Sequence, residues 1–254
     1  MAMEGAGSDY DRMGEAYAAH TEHSPTNALY DRPAIMALAG DVRGQRVLDV
    51  GCAAGALSAA LVDSGARLVG IDASRAMISL AQRRLGNRAS FKVADIRAPL
   101  DFIATGSVDL VVASLVMHYL EDWVPALLEF RRVLAPGGRV VFSTHHPAED
   151  WRWFERPTYF ATEQLVDHWQ VGGGTAEVRF YRRPLSAIFA AIRDGGFYVD
   201  ELVEPMPLPE CEERFPEDYV SLTTRPRFLY FRLLPRVGLQ VRASLKRTRA
   251  AGIA

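Results

Sequence analysis

The sequence predicts an α/β protein with a mostly parallel sheet. Three observations support this fold class. Short apolar runs of strand length recur along residues 46–142, stretches of helical composition separate them, and several of the runs end in an acidic residue or a glycine. Alternation of strand and helix at this spacing is typical of β-α-β units, which build parallel sheets.

The first strand and its turn are the most informative segment. Residues 46–55 read Arg-Val-Leu-Asp-Val-Gly-Cys-Ala-Ala-Gly, and residues 56–61 then have helical composition. A strand that turns at glycines into a helix places backbone N–H groups at the helix N-terminus, beside the carboxyl end of the strand. Ligands of parallel α/β sheets bind at that edge. Asp49 offers an anchor for a cationic or hydroxylated group.

Two nucleotide-binding motifs are excluded at this turn. A phosphate-binding P-loop ends in Gly-Lys followed by Ser or Thr, whereas Gly55 precedes Ala56 and Leu57. The dinucleotide motif Gly-x-Gly-x-x-Gly needs a spacing that Gly51 and Gly55 do not supply. A glycine-rich turn without a ligand remains open when this segment is taken alone.

The later strands repeat the arrangement of an acid at the strand end. Residues 68–71 end in Asp72, where a carboxylate can accept hydrogen bonds from both hydroxyls of a ribose. Residues 91–94 end in Asp95, beside the apolar Ile96. The fourth and fifth strands are predicted at 108–114 and within 134–142, the latter after a Pro-Gly-Gly turn.

These segments, in this order, resemble the class I S-adenosylmethionine-dependent methyltransferases. The similarity covers roughly residues 47–142 and is to the small-molecule branch, which is ubiquinone- and menaquinone-type and methyltransferase-11-like. It implies a Rossmann-like seven-stranded, mostly parallel sheet with helices on both faces. One position departs from the family pattern, because Ala53 stands where the middle glycine of the first loop is common. We expect alanine there to crowd the turn slightly without loss of cofactor binding.

The resemblance also implies roles for single residues toward S-adenosylmethionine. Asp49, Gly51 and the backbone around Cys52 would hold the methionine part, with Gly55 closing the loop, and Asp72 would take the ribose hydroxyls. Ala73, Met77, Asp95 and Ile96 would contact the adenine. Ser114 and Leu115 would lie near the sulfonium. Tyr17 belongs to N-terminal helices that close over the cofactor in this family, although packing on the core alone would equally explain an aromatic residue there.

Composition narrows the possible partners, cofactors and location of the protein. The 254 residues carry a formal net charge of −2, which gives no electrostatic case for nucleic acid or an anionic membrane as partner. Two cysteines, Cys52 and Cys211, are too few for a disulfide framework, and no metal-ligand spacing of Cys or His occurs. The sequence has no apolar run near 18 residues and no signal-peptide pattern. We therefore expect a soluble, cytoplasmic protein without a metal, and the sequence leaves the oligomeric state open.

The chain is predicted to form one methyltransferase domain over residues 1–254. Its parts are N-terminal lid helices at 1–40, a core at 41–145 and 184–235, a substrate cap at 146–183, and a basic tail at 236–254. Within these parts we predict helices at 10–21, 27–39 and 184–194, a hairpin of 165–171 with 176–181, an acidic proline-rich loop with a short helix at 204–225, and final strands at 197–203 and 228–234. The resemblance implies that these last two strands pair antiparallel.

The cap is dense in aromatic residues and follows the fifth strand, which places it over the site of the methyl donor. Three of the four tryptophans of the chain lie there. Its aromatic side chains could line a pocket for a flat or apolar small molecule, or they could form a small core of the cap itself. Both interpretations remain open, and they are compatible with each other.

Three histidines are candidate catalytic bases. His118 follows the fourth strand, and His145 and His146 follow the fifth, so all three lie toward the carboxyl edge of the sheet. Histidine suits proton transfer near neutral pH. Adjacent residues on an extended chain face opposite ways, so at most one of His145 and His146 is expected to face the substrate. A packing role is the competing explanation for each of the three.

The predicted function is S-adenosylmethionine-dependent methyl transfer to oxygen, nitrogen or carbon of a small molecule, in secondary or cofactor metabolism. The acceptor is expected to be aromatic or apolar. Two alternatives stay open: an RNA methyltransferase, against which the near-neutral charge speaks, and a protein that binds the cofactor without transferring its methyl group.

Overall fold

The structure is a computed structural model that describes residues 6–171 and 174–236. The predicted basic tail therefore lies outside the described residues, apart from residue 236. No helix in the described part of the chain combines the length and the apolar character that crossing a membrane requires.

Seven strands form one sheet, as predicted. Their bounds are β1 Arg46–Val50, β2 Arg67–Asp72, β3 Ser90–Val93, β4 Val108–Ala113, β5 Leu134–His145, β8 Phe197–Val203 and β9 Phe228–Pro235. The order across the sheet is β3-β2-β1-β4-β5-β9-β8. Strands β1 to β5 pair in parallel, whereas β9 is antiparallel to both β5 and β8. The α/β fold class and the antiparallel edge are confirmed.

Helices cover both faces of this sheet. The α-helices are α1 Ala6–His23, α2 Arg32–Ala39, α3 Ala56–Asp63, α4 Arg75–Leu85, α5 Val124–Val133, α6 Pro147–Trp153, α7 Leu185–Asp194, α8 Glu210–Arg214 and α9 Pro216–Thr224. A π-helical turn spans Thr26–Asp31, and short 3₁₀ turns span Gly86–Arg88 and Met117–Tyr119. The 204–225 segment thus holds two short helices rather than the single one predicted.

Two hydrophobic layers follow from the alternation of side chains along the strands. In β4, Val111 packs into the layer of α5 and α7, and Val112 packs into the layer of α2 and α3. Strand β9 alternates in the same way, with Phe231 in the first layer and Tyr230 in the second. Both faces of each central strand are therefore buried, as expected for a parallel sheet with helices on both sides.

The second N-terminal helix differs from its prediction. A continuous α-helix was expected over residues 27–39, but the chain opens with a wide turn in which the N–H of Arg32 donates to the carbonyl of Asn27, five residues back. Pro33 explains the difference, because its ring would collide with the carbonyl four residues earlier in a regular α-helix. Wide turns of this kind are rare and are frequently found at functional sites.

The predicted hairpin of the cap is confirmed. Strand β6 spans Glu163–Val171 and pairs antiparallel with β7, Gly174–Arg182, as a separate two-stranded sheet. The buried Arg182 ties its base together, donating from Nε to Glu163 at 2.7 Å and from its terminal nitrogens to the carbonyls of Thr158 and Tyr159. These bonds tie the base of the hairpin to the segment that precedes β6.

The turn after β1 has left-handed backbone at three positions. Gly51, Ala53 and Gly55 have φ of +70°, +47° and +78°. A Cβ on Gly51 would lie 2.8 Å from Cγ2 of Val116, so only glycine fits there. Ala53 adopts the same region with a side chain, at a cost of about 1–2 kcal/mol. Alanine at this position therefore strains the backbone, which is a different effect from the slight crowding expected.

We expect Ala53→Gly to stabilise the protein. Glycine relieves the left-handed strain but raises the entropy of the unfolded chain, so the net gain is about 0.5–1 kcal/mol, or roughly 1–4 °C in the unfolding midpoint. Thermal unfolding measures it. Ala54→Gly is the matched control, because Ala54 is buried in the same turn with ordinary backbone. If Ala53→Gly lowered the unfolding midpoint as much as Ala54→Gly does, the proposed backbone strain at Ala53 would be contradicted.

Candidate functional site

A cavity of about 330 Å³ lies at the carboxyl ends of β1 to β4. Of the twelve residues predicted to bind the methyl donor, all but Gly55 line it: Tyr17, Asp49, Gly51, Cys52, Asp72, Ala73, Met77, Asp95, Ile96, Ser114 and Leu115. The structure therefore brings together residues from five separate segments of the chain. This convergence was expected, because most of these residues lie at the carboxyl ends of parallel strands.

Gly55 has a different place. It is the N-cap residue of α3, its N–H donates to the carbonyl of Cys52 at 2.9 Å, and a Cβ on it would meet Ala81 and Leu85 of α4. Its left-handed backbone and this close packing set the direction in which α3 leaves the turn.

The amide groups of the turn are largely occupied. The N–H groups of Gly51 and Cys52 both donate to the carbonyl of Ile71, at 2.8 and 3.0 Å, and the N–H of Ala53 donates to Asp72. The turn was expected to present bare N–H groups to a ligand. These bonds instead tie the end of β1 to the end of β2 and hold Asp72 in place.

Asp49 is a buried carboxyl at the base of the cavity. Its Oδ2 accepts a hydrogen bond of 2.5 Å from the hydroxyl of Ser58 in α3. Burial raises the pKa of Asp49 to about 7, with the hydrogen bond from Ser58 opposing that shift and the charge of Asp72 adding to it. Asp49 therefore changes its protonation near neutral pH in the unliganded protein.

Asp72 is oriented by backbone donors at the end of β2. Its Oδ2 accepts from the N–H of Ala53 at 3.0 Å, and its Oδ1 accepts from the N–H of Ser74 at 2.8 Å. Burial raises its pKa, and these two hydrogen bonds lower it. Each oxygen keeps a further lone pair, so the carboxylate can accept from two more donors, such as vicinal hydroxyls.

Asp95 has a partner that the sequence prediction did not anticipate. Nε of Arg97 donates to both of its oxygens at 2.9–3.0 Å, and the second guanidinium nitrogen lies 2.5 Å from Oδ2. Although burial opposes the shift, these bonds lower the pKa of Asp95. The carboxylate is ionised at neutral pH and shared, so an amino group of a ligand would have to bind beside Arg97.

Asp31 also lines the cavity, and sequence reasoning missed it. It is the last residue of the π-helical turn, and its carboxylate accepts from the hydroxyls of Ser114 at 2.5 Å and Ser143 at 2.8 Å. Its neighbours Leu29, Tyr30 and Ile35 are buried in the core. An acid within this apolar helical segment was the available signal, because charged residues are rarely buried without a specific reason.

Aromatic side chains cover the cavity. The hydroxyls of Tyr10 in α1 and Tyr119 after β4 lie 2.6 Å apart, and Tyr17 stacks on Trp169 of β6 with ring centres 6.0 Å apart. Burial raises the pKa of Tyr17 to about 12, so its phenol stays neutral. Among the cap aromatics in the described part of the chain, only Tyr181 lines the cavity.

The three candidate histidines lie outside the cavity lining. His118 and His145 stack with ring centres 4.1 Å apart, and both pack edge-on against Phe180. Burial and the neighbouring His145 lower the pKa of His118, which is therefore neutral at pH 7. His146 caps α6, where Nδ1 accepts from the N–H of Ala148 at 3.2 Å, while Nε2 lies 3.1 Å from Glu204. The structure thus gives all three packing or capping contacts.

No metal site is evident in the residues that the structure describes, since they contain no group of three or more His, Cys, Asp or Glu side chains that could hold an ion. The thiol of Cys52 is buried, and burial raises its pKa, so it is a neutral thiol rather than a nucleophilic thiolate.

Comparison with known proteins identifies the fold and the central segment. The sequence profile of a methyltransferase domain matches residues 48–142. The solved structure of a putative S-adenosylmethionine-dependent methyltransferase from Listeria monocytogenes is similar at a TM-score of 0.70, with 21% identity over 81% of this chain and 96% of that one.

Two sequence relatives show how far the likeness extends. An uncharacterised protein of Haemophilus influenzae is 22% identical over 81% of this chain and 87% of its own length. The ubiquinone biosynthesis O-methyltransferase of Bordetella avium is 35% identical over 43% of this chain and 46% of its own. The chain thus spans about half the length of the quinone methyltransferases it matches.

The matched segment begins within β1 and contains β2 to β4 and the first part of β5. The carboxyl ends of β1 to β4, which form the cavity, lie within it. The sheet order, the residues at the strand ends and the domain match agree: residues 48–142 match a methyltransferase domain, and the chain has the fold of S-adenosylmethionine-dependent methyltransferases.

Proposed function

We propose that the protein transfers the methyl group of S-adenosylmethionine to an oxygen, nitrogen or carbon atom of a small molecule. The observation that carries this proposal is the cavity, in which the predicted donor-binding residues meet beneath a cover of aromatic side chains. When bound, S-adenosylmethionine supplies an electrophilic methyl group on a positively charged sulfur.

The residues of the cavity fit this cofactor. Asp72 has free lone pairs for the ribose hydroxyls, and Ala73, Met77 and Ile96 offer an apolar surface for the adenine. The buried carboxyl of Asp49 and the part of the cavity that Gly51 lines suit the methionine part. Tyr17 covers the cavity from α1, and Ser114 and Leu115 lie at the end where methyl transfer would occur.

The cover supports a small acceptor. Gln164, Val178, Arg179 and Tyr181 reach the cavity from the β6–β7 hairpin, and α1 contributes Tyr10 and Tyr17. A macromolecule would need an open groove, whereas a flat or apolar small molecule fits beneath aromatic side chains. The net charge of −2 also supports this class over RNA. An aromatic acceptor of cofactor or secondary metabolism agrees with the similarity to ubiquinone and menaquinone methyltransferases.

Methyl transfer depends mainly on alignment and on exclusion of water, and these residues provide both. The aromatic cover removes the reaction from solvent, and the close packing of Gly51 against Val116 fixes the wall of the cavity. His118 and His145 contact each other and Phe180 rather than the cavity, so we propose that they position Tyr119 and Phe180 instead of transferring a proton directly. For His146 we propose capping of α6 as its role.

We expect Asp72→Ala to weaken binding of S-adenosylhomocysteine at least about 10- to 100-fold, because hydrogen bonds to a charged partner are lost. Isothermal titration calorimetry measures the change. Asp63→Ala is the control, since Asp63 is exposed and pairs with Arg88 outside the cavity. Unaltered affinity of Asp72→Ala, or no binding by the wild type, would refute the donor site.

The pKa of Asp49 predicts how donor binding depends on pH. The positively charged methionine part favours the ionised carboxylate, so S-adenosylmethionine binds more weakly as the pH falls through about 7. The expected loss approaches about tenfold per pH unit below that value. Titrations from pH 6 to 8 should show this slope in the wild type and a flatter one in Asp49→Asn. Identical slopes would contradict the assignment.

Methyl transfer itself is tested with donor labelled in its methyl group. We expect label in at least one small phenol, catechol or arylamine of a mixed panel and none in total RNA, with the products separated by chromatography. Label in RNA would favour the alternative acceptor class. Donor that stays bound and intact with every acceptor would instead indicate a protein that binds S-adenosylmethionine without transferring its methyl group.

A further inference from the structure

Three acidic residues line the cavity without a cationic partner. Asp31, Asp49 and Asp72 have no arginine, lysine or histidine within 4 Å among the side chains that the structure describes. Asp49 and Asp72 have places in the proposed donor site. Asp31 has no assigned contact with the donor, and its carboxyl is buried, with only 5% of the residue exposed.

The position of Asp31 is fixed from two sides. Its backbone belongs to the π-helical turn, while its carboxylate oxygens are held by Ser114, just after β4, and by Ser143, within β5. Ser143 also accepts a hydrogen bond of 3.0 Å from the N–H of Leu115, so its own hydrogen is free to donate to Asp31. Burial raises the pKa of Asp31, and the two hydroxyl groups lower it, because each donates to one carboxylate oxygen and so favours the ionised form.

The nearest candidate counter-ion is engaged elsewhere. Arg32 is adjacent in sequence and lines the same cavity, but its guanidinium donates to the carbonyl of Thr21, at 3.4 Å, and forms no ion pair with Asp31. Arg32 acts on Asp31 only at longer range, where its charge lowers the pKa of that carboxyl. A buried carboxylate without an ion pair is thus incompletely compensated, and such a charge attracts a cation placed in the same cavity.

The two forms of the cofactor differ in that charge. S-adenosylmethionine carries a sulfonium, and S-adenosylhomocysteine carries a neutral thioether in its place. Ser114, which holds Asp31, is also the residue proposed to lie beside the sulfonium. We propose that Asp31 is a charge-selecting residue, whose carboxylate favours the cationic methyl donor over the neutral product; this inference rests on the proposed function.

Selection by charge has a consequence for turnover. A charge that attracts the donor loses its partner when the methyl group leaves, because the sulfur becomes neutral at that step. The product is then bound by the remaining contacts alone, so exchange of product for donor is favoured. Asp31 would therefore contribute both to binding of the methyl donor and to release of the product.

Calorimetry on the full chain tests the proposal, with S-adenosylmethionine and S-adenosylhomocysteine titrated separately into each variant. Asp31→Asn keeps the shape of the side chain and an acceptor for the serine hydroxyls. We expect it to lower affinity for the donor roughly tenfold and to change affinity for the product less than about twofold. Glu22→Gln is the matched control, because Glu22 lines the same cavity but is paired with Arg84, and it should leave the ratio of the two affinities unchanged.

Three results would overturn the proposal. Asp31→Asn could weaken donor and product equally, which is a packing effect. It could also leave both affinities unchanged, with any loss confined to turnover, which would place Asp31 at the acceptor. Wild-type protein that binds neither compound would refute the proposed function as well, whereas the first two results would leave it standing. Should Asp31→Asn lack a cooperative thermal transition, Asp31→Ser repeats the test with the same expectations.

Discussion

The close approach of two strand ends is the constraint on which the site depends. Gly51, after β1, lies so near Val116, after β4, that no side chain fits between them. The approach is possible because β1 and β4 are parallel neighbours at the centre of the sheet, where the chain order reverses. A crevice forms at such a reversal in parallel α/β sheets, since the flanking connections leave in opposite directions. The position of the cavity therefore follows from the strand order, and the strand ends with the segments that follow them supply its polar groups.

That chemistry is an excess of negative charge in a place with little water. Burial raises the pKa values of Asp31, Asp49 and Asp72, which means that the unliganded protein bears a free-energy cost for their ionised forms. Hydrogen bonds from Ser58, Ser114 and Ser143 offset part of this cost without neutralising the charge. A ligand with a positive charge removes the rest of the cost on binding. The ionised carboxyl groups are thus more stable with a cationic ligand bound than in the empty cavity, as is common where polar groups are preorganised for a ligand.

The sequence was sufficient for the sheet and for most of the cavity. Acids and glycines at strand ends converge because parallel strands all end at one edge, so the positions of Asp49, Asp72 and Asp95 needed only the strand order. Asp31 could not be found this way, since its place depends on a π-helical turn imposed by Pro33. The orientation of the histidine side chains also could not be predicted from the sequence. Whether His118 faces the cavity or Phe180 depends on the rotation of the chain after β4, which periodicity does not determine.

The stack of Tyr17 on Trp169 joins two segments that lie outside the seven-stranded sheet. Helix α1 and the β6–β7 hairpin meet over the cavity, while the residues proposed to bind the methyl donor come mainly from the strand ends beneath them. The part of the molecule that would contact an acceptor is therefore largely separate from the part that holds the sheet together. Substitutions in α1 or the hairpin can change the shape of the cover without disturbing the packing of β1 to β5. Such a division would allow related proteins to acquire new acceptors while the proposed methyl-donor site stays constant.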